Sequence, residues 1–474
     1  MRTIALTLLS LALTASAARA QAGPPSPSTP ARPAYLFLRW QEDWSVIPKL
    51  APQNQDALDS LKYIPLDPEG SDWMSLGGDA RARVESWSDF NFGAPVGVSH
   101  DDTFLLTRFR ADADVHLGPG FRAFLELKSD EASGRNLPGG VRTADQDRFE
   151  LQQLFADFTF PLGNGASLIL RPGRQQFSFG VQRLVSPLPW ANSLRTWDGL
   201  SALVNAGAWN VTTFAGEFVP IVANGVGRAD HKELLGGIYA RHVTAAAPGG
   251  LELYVLRNDW ERPHTFNGTT GADRRWTLGL RRWQPLAPRA DYEVELDYQF
   301  GDTGPGSASA WSLASQVGYQ VRADKSLRIW AGFDWASGDR TRGGDVQTFN
   351  QLYPLGHAYL GKIDTIGRQN ILDESVGLTW RARPKLVVNV EAHDFQADST
   401  QDAIYNAAGG VVRAGGTYHS HQIGYEPDLI VAWSAGRHVA IEGGGGHFFP
   451  GDAIRESGPA LGIDFVYLQT TLTF

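Results

Sequence analysis

Cysteine is absent from the 474 residues. No disulfide or thiolate centre can form, and a chain without thiols suits a route outside the cytoplasm, where a stray thiol could be oxidised. Long apolar runs are also missing. After the N-terminus no segment approaches the roughly 18 continuous apolar residues of a membrane-crossing helix, so helical spanning is excluded. Positive charge is not in excess either: 42 Lys and Arg stand against 51 Asp and Glu, a net charge of −9. That balance leaves no nucleic-acid footprint, and the charges are spread too evenly for an acidic tail.

What is present is glycine and aromatics: 52 Gly, 15 Trp, 24 Phe and 13 Tyr. A mildly polar average with many aromatics fits a membrane barrel, where lipid-facing and lumen-facing residues alternate and cancel. The segment from Asp464 to Phe474 alternates, with Val466, Leu468, Leu472 and Phe474 on one face, the period of a strand with one apolar side. It ends on an aromatic residue, as the closing strand of an outer-membrane barrel commonly does, and Phe474 is the expected signal to the barrel assembly machinery. At the other end, Arg2, the apolar stretch Ile4–Leu13 and Ala18-Arg19-Ala20 read as a secretory signal peptide over 1–20. Residues 21–34 read as a disordered leader rich in Pro, Ser and Ala. Residues 35–74 lack a strand period and are expected at the periplasmic mouth or folded into it.

From residue 75 to 474 the chain is a series of short alternating runs: 75–87, 103–116, 121–130, 150–160, 166–176, 198–205, 209–218, 233–245, 250–258, 274–284, 291–300, 308–321, 326–336, 372–381, 386–395, 421–433, 437–447 and 462–474. Each has about the length a tilted strand needs to cross a bilayer. The gaps alternate between long, as at 88–102 and 131–149, and short, as at 117–120 and 161–165; the longest is 337–371. Long outer loops and tight periplasmic turns, with both termini periplasmic, are the topology of a Gram-negative outer-membrane barrel. The fold class is therefore all-β, a monomeric transmembrane antiparallel β-barrel of about 18 strands surrounded by lipid and lipopolysaccharide. A count of 16 stays open, because 198–205, 233–245 and 250–258 alternate weakly.

Alternation on the first two strands turns Leu76, Ala80, Ala82 and Val84 outward, followed by Leu105, Phe109, Ala111, Val115 and Leu117. It turns Asp79, Arg81, Arg83 and Glu85 inward, followed by Arg108, Arg110, Asp112, Asp114 and His116. Arg122, Lys128, Arg171, Arg174, Arg275, Arg281 and Arg328 are further candidates for the interior. Arginine is always charged, and its planar fork holds carboxylates in pairs. A ring of arginines draws anions into a narrow pore. The same arginines, paired with Asp79, Glu85, Asp112 and Asp114, would equally brace a polar wall, and the residues alone leave both readings open. The row Asp291, Glu293, Glu295 and Asp297 shows that the interior is not uniformly positive.

Several ordered motifs resemble the alginate export family: Glu42-Asp43-Trp44-Ser45, Leu61-Lys62-Tyr63-Ile64-Pro65-Leu66, Leu76-Gly77-Gly78-Asp79-Ala80-Arg81, Gly173-Arg174-Gln175-Gln176 with Phe179-Gly180, and Trp197-Asp198-Gly199. Ser337-Gly338-Asp339, Phe349-Asn350-Gln351-Leu352-Tyr353-Pro354 with Gly356-His357, and Phe448-Phe449-Pro450-Gly451 continue the series. The resemblance implies an 18-stranded barrel that passes an anionic polysaccharide or oligosaccharide, an alginate-like polyuronate or a related acidic sugar, through an arginine-rich constriction. Arg81, Arg83, Arg108 and Arg110 match that constriction. The alternative is a general or small-solute porin.

Enzyme chemistry finds little footing. The one close histidine pair, His419 and His421, with Asp428 reads as part of a solvated loop. Asp339, Asp345 and Gly343-Gly344 match no known calcium-loop spacing, and Ser178 and Ser186 lack a nearby histidine. No cofactor and no metal are expected. About 50 residues between signal peptide and first strand are too few for the globular plug of an energised transporter. The loop 337–371 is long enough to fold in as a lid.

Overall fold

The computed structural model describes residues 31–474 apart from 245 and 246. The expected signal peptide and most of the leader lie outside the described residues. The chain forms one antiparallel sheet of nineteen members, of which one is the two-residue piece Ile64–Pro65, leaving eighteen barrel strands. They are β1 (Trp73–Ser88), β2 (Asp102–Leu117), β3 (Phe121–Ser133), β4 (Asp147–Gly163), β5 (Ala166–Gln175) and β6 (Trp197–Ala206). Next come β7 (Trp209–Phe218), β8 (Glu233–Thr244), β9 (Ala247–Phe266), β10 (Thr269–Ala287), β11 (Ala290–Thr303) and β12 (Gly306–Gln320). The last six are β13 (Leu327–Ala336), β14 (Ile371–Arg383), β15 (Leu386–Gln396), β16 (Gln422–Ser434), β17 (Val439–Pro450) and β18 (Ile463–Thr473).

Each strand pairs with the next, and β18 returns to β1 in register from Asp79↔Thr473 to Ser88↔Asp464. The seam ends where Gly78 and Phe474 exchange both backbone hydrogen bonds, at 2.9 and 3.0 Å. Gly78 is required at that corner. A Cβ there would stand 2.2 Å from the carbonyl oxygen of Arg110 and 2.8 Å from the Phe474 ring. Closure leaves no free sheet edge, which is what allows strands to cross a lipid phase that offers backbone groups no partners. The outer face carries the apolar half of the alternation: Val466, Leu468 and Leu472 are at least half exposed, while Phe465 and Tyr467 between them are buried. That face is held by lipid rather than by protein.

The regular alternation of long and short gaps fails at two places. β9 and β10 run 20 and 19 residues and meet across the two-residue turn Asn267-Gly268, whose φ angles are 42° and 91°. β11 and β12 are joined by Gly304-Pro305 alone. The sequence pattern leaves 259–273 as a gap between runs because charged and small residues break its apolar period. Those residues sit where the hairpin rises past the apolar band, so pairing continues without an apolar face.

The remaining long connections fold inward. The segments 176–196 and 337–370 are knitted together by a parallel bridge Val185↔Tyr353, with Ser186 N donating to Tyr353 O at 2.9 Å and Tyr353 N to Leu184 O at 2.8 Å. They carry Leu184, Val185, Phe349, Leu352 and Ile363 into an apolar cluster with Trp87, Phe104, Leu106 and Phe465 from the wall. At the end that carries Phe474 and the first described residues, Trp44, Ile47 and Leu50 pack on Trp73 in a second cluster. The interior is thus apolar at both ends, with a belt of charge between.

One inward segment titrates in the working range. Asp339 lies at the start of the 337–370 connection; its N–H donates to Asp402 at 2.8 Å and its carboxylate accepts from Gln347 N. Burial pushes Asp339 up to about 6, and Asp402 adds to the effect against the Gln347 amide. An acid whose folded pKa exceeds its unfolded value binds more protons when folded, so stability falls as pH rises between the two. We expect the 337–370 packing to be firmest below about pH 4 and to loosen up to about pH 6. Hydrogen-exchange protection of this segment, corrected for intrinsic rates, should show that slope, and Asp339→Asn should flatten it.

Candidate functional site

Asp79, Arg81, Arg83, Glu85, Arg108, Arg110, Asp112, Asp114, Arg171 and Arg174 face the barrel interior and are buried, from 2% exposure at Arg83 and Asp114 to 9% at Asp112 and Arg174. They do not form one ring; they divide by partner. Arg110 donates to Asp79 at 2.8 Å and to Glu126 at 3.4 Å. Arg171 makes a two-bond fork to Asp157 at 2.6 and 2.7 Å. Arg174, whose facing alternation could not settle, turns inward and forks onto Asp198 at 2.6 and 2.8 Å, with Glu150 at 2.8 Å. Asp114 accepts from Arg122 at 2.7 Å. Arg83 pairs with Glu85 at 2.8 Å. Deeper in sequence the same holds: Lys128 meets Asp147, Arg275 meets Asp273, Arg281 meets Glu252 and Glu293, and Arg328 meets Asp291. For these side chains the wall-bracing geometry is present.

Arg81 and Arg108 differ. They are direct cross-strand partners on β1 and β2, and among the described residues neither has a carboxylate partner. Arg81 donates to the carbonyls of Pro189, Trp190 and Ala191 at 3.1, 3.2 and 2.9 Å and to Asn192 Oδ1 at 3.0 Å. Arg108 donates to Pro189 O and Ala191 O at 3.2 and 2.9 Å. Two like charges side by side are therefore held by the carbonyl dipoles of one inward turn and the Asn192 side chain, with no carboxylate in contact. Arg83 joins them, giving one N–H to Trp190 O at 2.7 Å with its guanidinium 3.8 Å from the Trp190 ring centre.

From the opposite side the N-terminal segment fills the interior. Phe37 O accepts from Arg110 at 3.1 Å, and Trp40 lies under Arg171, 3.8 Å from ring centre to guanidinium. Arg39 reaches Asp112 at 3.3 Å, Glu42 at 2.8 Å and Phe474 O at 2.8 Å. Lys62 adds a bond to Leu76 O at 2.8 Å.

Beyond the turn a cavity of about 300 Å³ is lined by Arg83, Arg142, Trp190, Arg195, His357 and Asp364, among others. That is the lower end of the size range for small-molecule sites. Trp190 stacks on His357 at 3.6 Å between ring centres. Burial lowers His357, which is therefore neutral near pH 7, and lowers Arg195 to about 10 without discharging it. Arg195 donates to Pro354 O at 2.9 Å. Alternation could not have found Arg39, Arg183, Trp190 or Arg195, which sit on connections. Arg183 bridges Glu293 and Glu295 at 2.7 Å each and offsets part of the acidic row of β11.

The outer-loop residues set aside from the sequence lie on separate partners. His421 Nδ1 pairs with Ala397 O, His419 lies near Glu456, and Asp428 belongs to the wall on β16. Asp345 accepts from Ser307 N at 2.9 Å, and Ser186 donates to Gln182 at 2.7 Å.

The fold has solved relatives among Pseudomonas aeruginosa proteins. OccK11 (OpdR) superposes with a TM-score of 0.53 at 12% identity, covering 85% of this chain and 96% of its own. OccD3 (OpdP) gives 0.55 at 10% identity over 84% and 91%, and OccK2 (OpdF) in complex with glucuronate gives 0.52 at 11% over 84% and 96%. At such identities the likeness concerns the fold alone. No curated protein sequence matches the chain. The alginate export family model matches residues 72–466, a span that runs from the last residue before β1 into β18 and contains every wall arginine described above. With the closed eighteen-stranded wall, that match makes the chain a member of the alginate export family, an outer-membrane β-barrel channel.

Proposed function

We propose that the barrel passes anionic saccharides, alginate-like polyuronates or related acidic sugars, by passive charge-guided diffusion. On this reading the termini face the periplasm, the barrel works as a monomer, and Phe474 is the end read by the assembly machinery. The observation that carries the proposal is the Arg81–Arg108 pair, adjacent, buried and bonded to neutral oxygens alone, the carbonyls of the Pro189–Ala191 turn and the Asn192 side chain. A guanidinium prefers an ionised, two-oxygen acceptor to a neutral carbonyl. A sugar carboxylate arriving at this level can take over from the turn, so substrate entry and withdrawal of the turn become one exchange. Nearby Asp79 and Glu85 keep the field from trapping the anion. The structural neighbour solved with glucuronate, a uronate, is in keeping with this class of cargo.

The second reading, a general or small-solute porin with arginines bracing the wall, is favoured by Arg110, Arg171 and Arg174, each spent on a carboxylate. The two readings part on selectivity. In planar bilayers under a salt gradient, we expect an anion-selective reversal potential and block by added polyuronate. Replacing both Arg81 and Arg108 by Gln should collapse the selectivity. Hydrogen bonds to charged groups are worth about 1.5–3 kcal/mol each, so block should weaken at least about tenfold. Cation selectivity, or selectivity unchanged by the double replacement, would favour the porin.

A further expectation concerns the N-terminal segment as a stopper. Arg39→Ala removes the contacts to Asp112, Glu42 and Phe474 O and leaves two buried carboxylates short of a partner, a loss of about 3–5 kcal/mol. Single-channel recording should show longer or more frequent openings than wild type. An unchanged open probability would mean that residues 35–50 do not obstruct the path.

A further inference from the structure

A four-residue cluster on β15 and β16, separated from β1 by β17 and β18, takes no part in the arginine site. Glu391 and His393 are two apart on β15 and share its inward face; Asp428 and Glu426 are two apart on β16. The register pairs Glu391 with Asp428 and His393 with Glu426. Directly opposed side chains on one face of an antiparallel pair stand about 5 Å apart at Cβ, so the four form a square. One oxygen each from Glu391 and Asp428 and one ring nitrogen of His393 lie within 4.8 Å of one another.

The polar balance of this square is incomplete. His393 Nδ1 is 2.9 Å from Asp373 Oδ2, which orients the ring and assigns the N–H to that side. Its Nε2 has no hydrogen-bond partner, although the residue is 96% buried (4% exposed). Glu426 Oε2 and Asp428 Oδ1 are likewise unpartnered, in residues of 0% and 2% exposure. Four carboxylates, counting Asp373, meet one ammonium, that of Lys362, 2.6 Å from Glu391, and the His393 ring, which adds a positive charge only when protonated. Buried charge of one sign needs a counter-ion.

We propose that Glu391, His393 and Asp428 bind one divalent transition cation, of the zinc or manganese type, with Glu426 as a fourth donor. A neutral imidazole nitrogen among carboxylates suits such an ion better than calcium or magnesium, which take oxygen alone. His393 Nε2 and Glu391 Oε1 are 3.8 Å apart, too far for a hydrogen bond. Donors about 2.1 Å from a shared tetrahedral ion stand about 3.4 Å apart, so a small inward movement completes the site. The hydrogen bond from His393 to Asp373 is the carboxylate–histidine arrangement that fixes a ligating ring. A cavity of about 230 Å³ bordered by Glu391, Lys362, Glu442 and Trp190 gives access from the interior.

The same carboxylates also hold the inward connection. Ile363 N donates to Glu426 at 2.9 Å and Lys362 N to Asp428 at 3.3 Å. Gly361, at φ 76°, passes so close that a Cβ would lie 2.2 Å from Glu426 Oε1. A bound cation would orient both acids and so staple the 337–370 segment to the wall.

The test uses the full-length barrel in detergent, stripped with a chelator and titrated with Zn²⁺ by calorimetry and with Co²⁺ by visible absorption. We expect one ion per barrel and Co²⁺ d–d bands of a nitrogen–oxygen site. His393→Gln should abolish the bands and weaken Zn²⁺ at least 100-fold. Asp373→Asn, a change to a positioning residue, should weaken it 10- to 100-fold while keeping the bands. Heat-modifiable gel migration checks that each variant is a folded barrel. Should His393→Gln fail that check, Glu391→Gln replaces it, with the same loss expected. Absence of a stoichiometric site in the wild type, or affinity unchanged in the folded variants, would overturn the proposal. So would Ca²⁺ competing at equal concentration. None of these readouts depends on which solute the channel passes.

Discussion

The seam between β1 and β18, from Ser88↔Asp464 to Asp79↔Thr473 and ending in the two hydrogen bonds between Gly78 and Phe474, is the constraint on which the rest depends. Without it β1 and β18 would each present an open edge inside lipid, where unpaired backbone groups cost several kcal/mol apiece. With it, every second side chain is committed to one enclosed interior. Eighteen strands bring far more charge into that space than solvent could hydrate in a filled lumen. The interior must therefore solve a neutralisation problem, and the solutions chosen strand by strand determine what the channel can do.

Most of the solution is local. Cross-strand neighbours supply the partner, as Asp79 does for Arg110 and Asp157 for Arg171. Where the wall is acidic, the partner comes from a connection: Arg183 crosses to Glu293 and Glu295, and Lys362 to Glu391. The two departures lie apart from each other. At Arg81 and Arg108 positive charge meets only carbonyl dipoles, and at Glu391, Glu426 and Asp428 negative charge outnumbers its partners. Excess of one sign in a buried place is where an exogenous ion of the other sign gains most, because partial charges of carbonyls or amides neutralise less than a full charge does.

The wall was legible because period two is imposed by the pleat and lipid enforces it on one face. The runs 209–218, 166–176 and 462–474 coincide with β7, β5 and β18 to within a residue or so. The weak stretch 250–258 belongs to a 20-residue strand; its continuation leaves the apolar band, so the pattern that identifies a strand vanishes while the backbone pairing does not. Inward-facing identities were equally legible on β1, where Trp73 and Trp87 bracket Asp79, Arg81, Arg83 and Glu85. The contents of the lumen were not. Pro189-Trp190-Ala191 has no period, and its contact with Arg81 joins residues more than a hundred apart. Reading arginines off alternating strands identifies who faces in. Who is already paired depends on connections whose path no period records.

The belt of charge between two apolar stoppers also explains why the closed arrangement holds without being locked. The cluster around Trp44 and Trp73 and the cluster around Phe349 and Phe465 enclose the charged belt from either end. In such a low-dielectric space the carbonyl contacts to Arg81 and Arg108 are strong enough to retain the turn. They remain weaker than the two-oxygen, full-charge contact that a carboxylate would offer at the same atoms. An interior filled with carboxylate-paired arginines would have no such gradient, since an arriving anion would only replace one full charge with another. On the proposed reading, the lack of a carboxylate partner would give the turn something to yield to, and would couple the chemistry of the solute to the position of the obstruction.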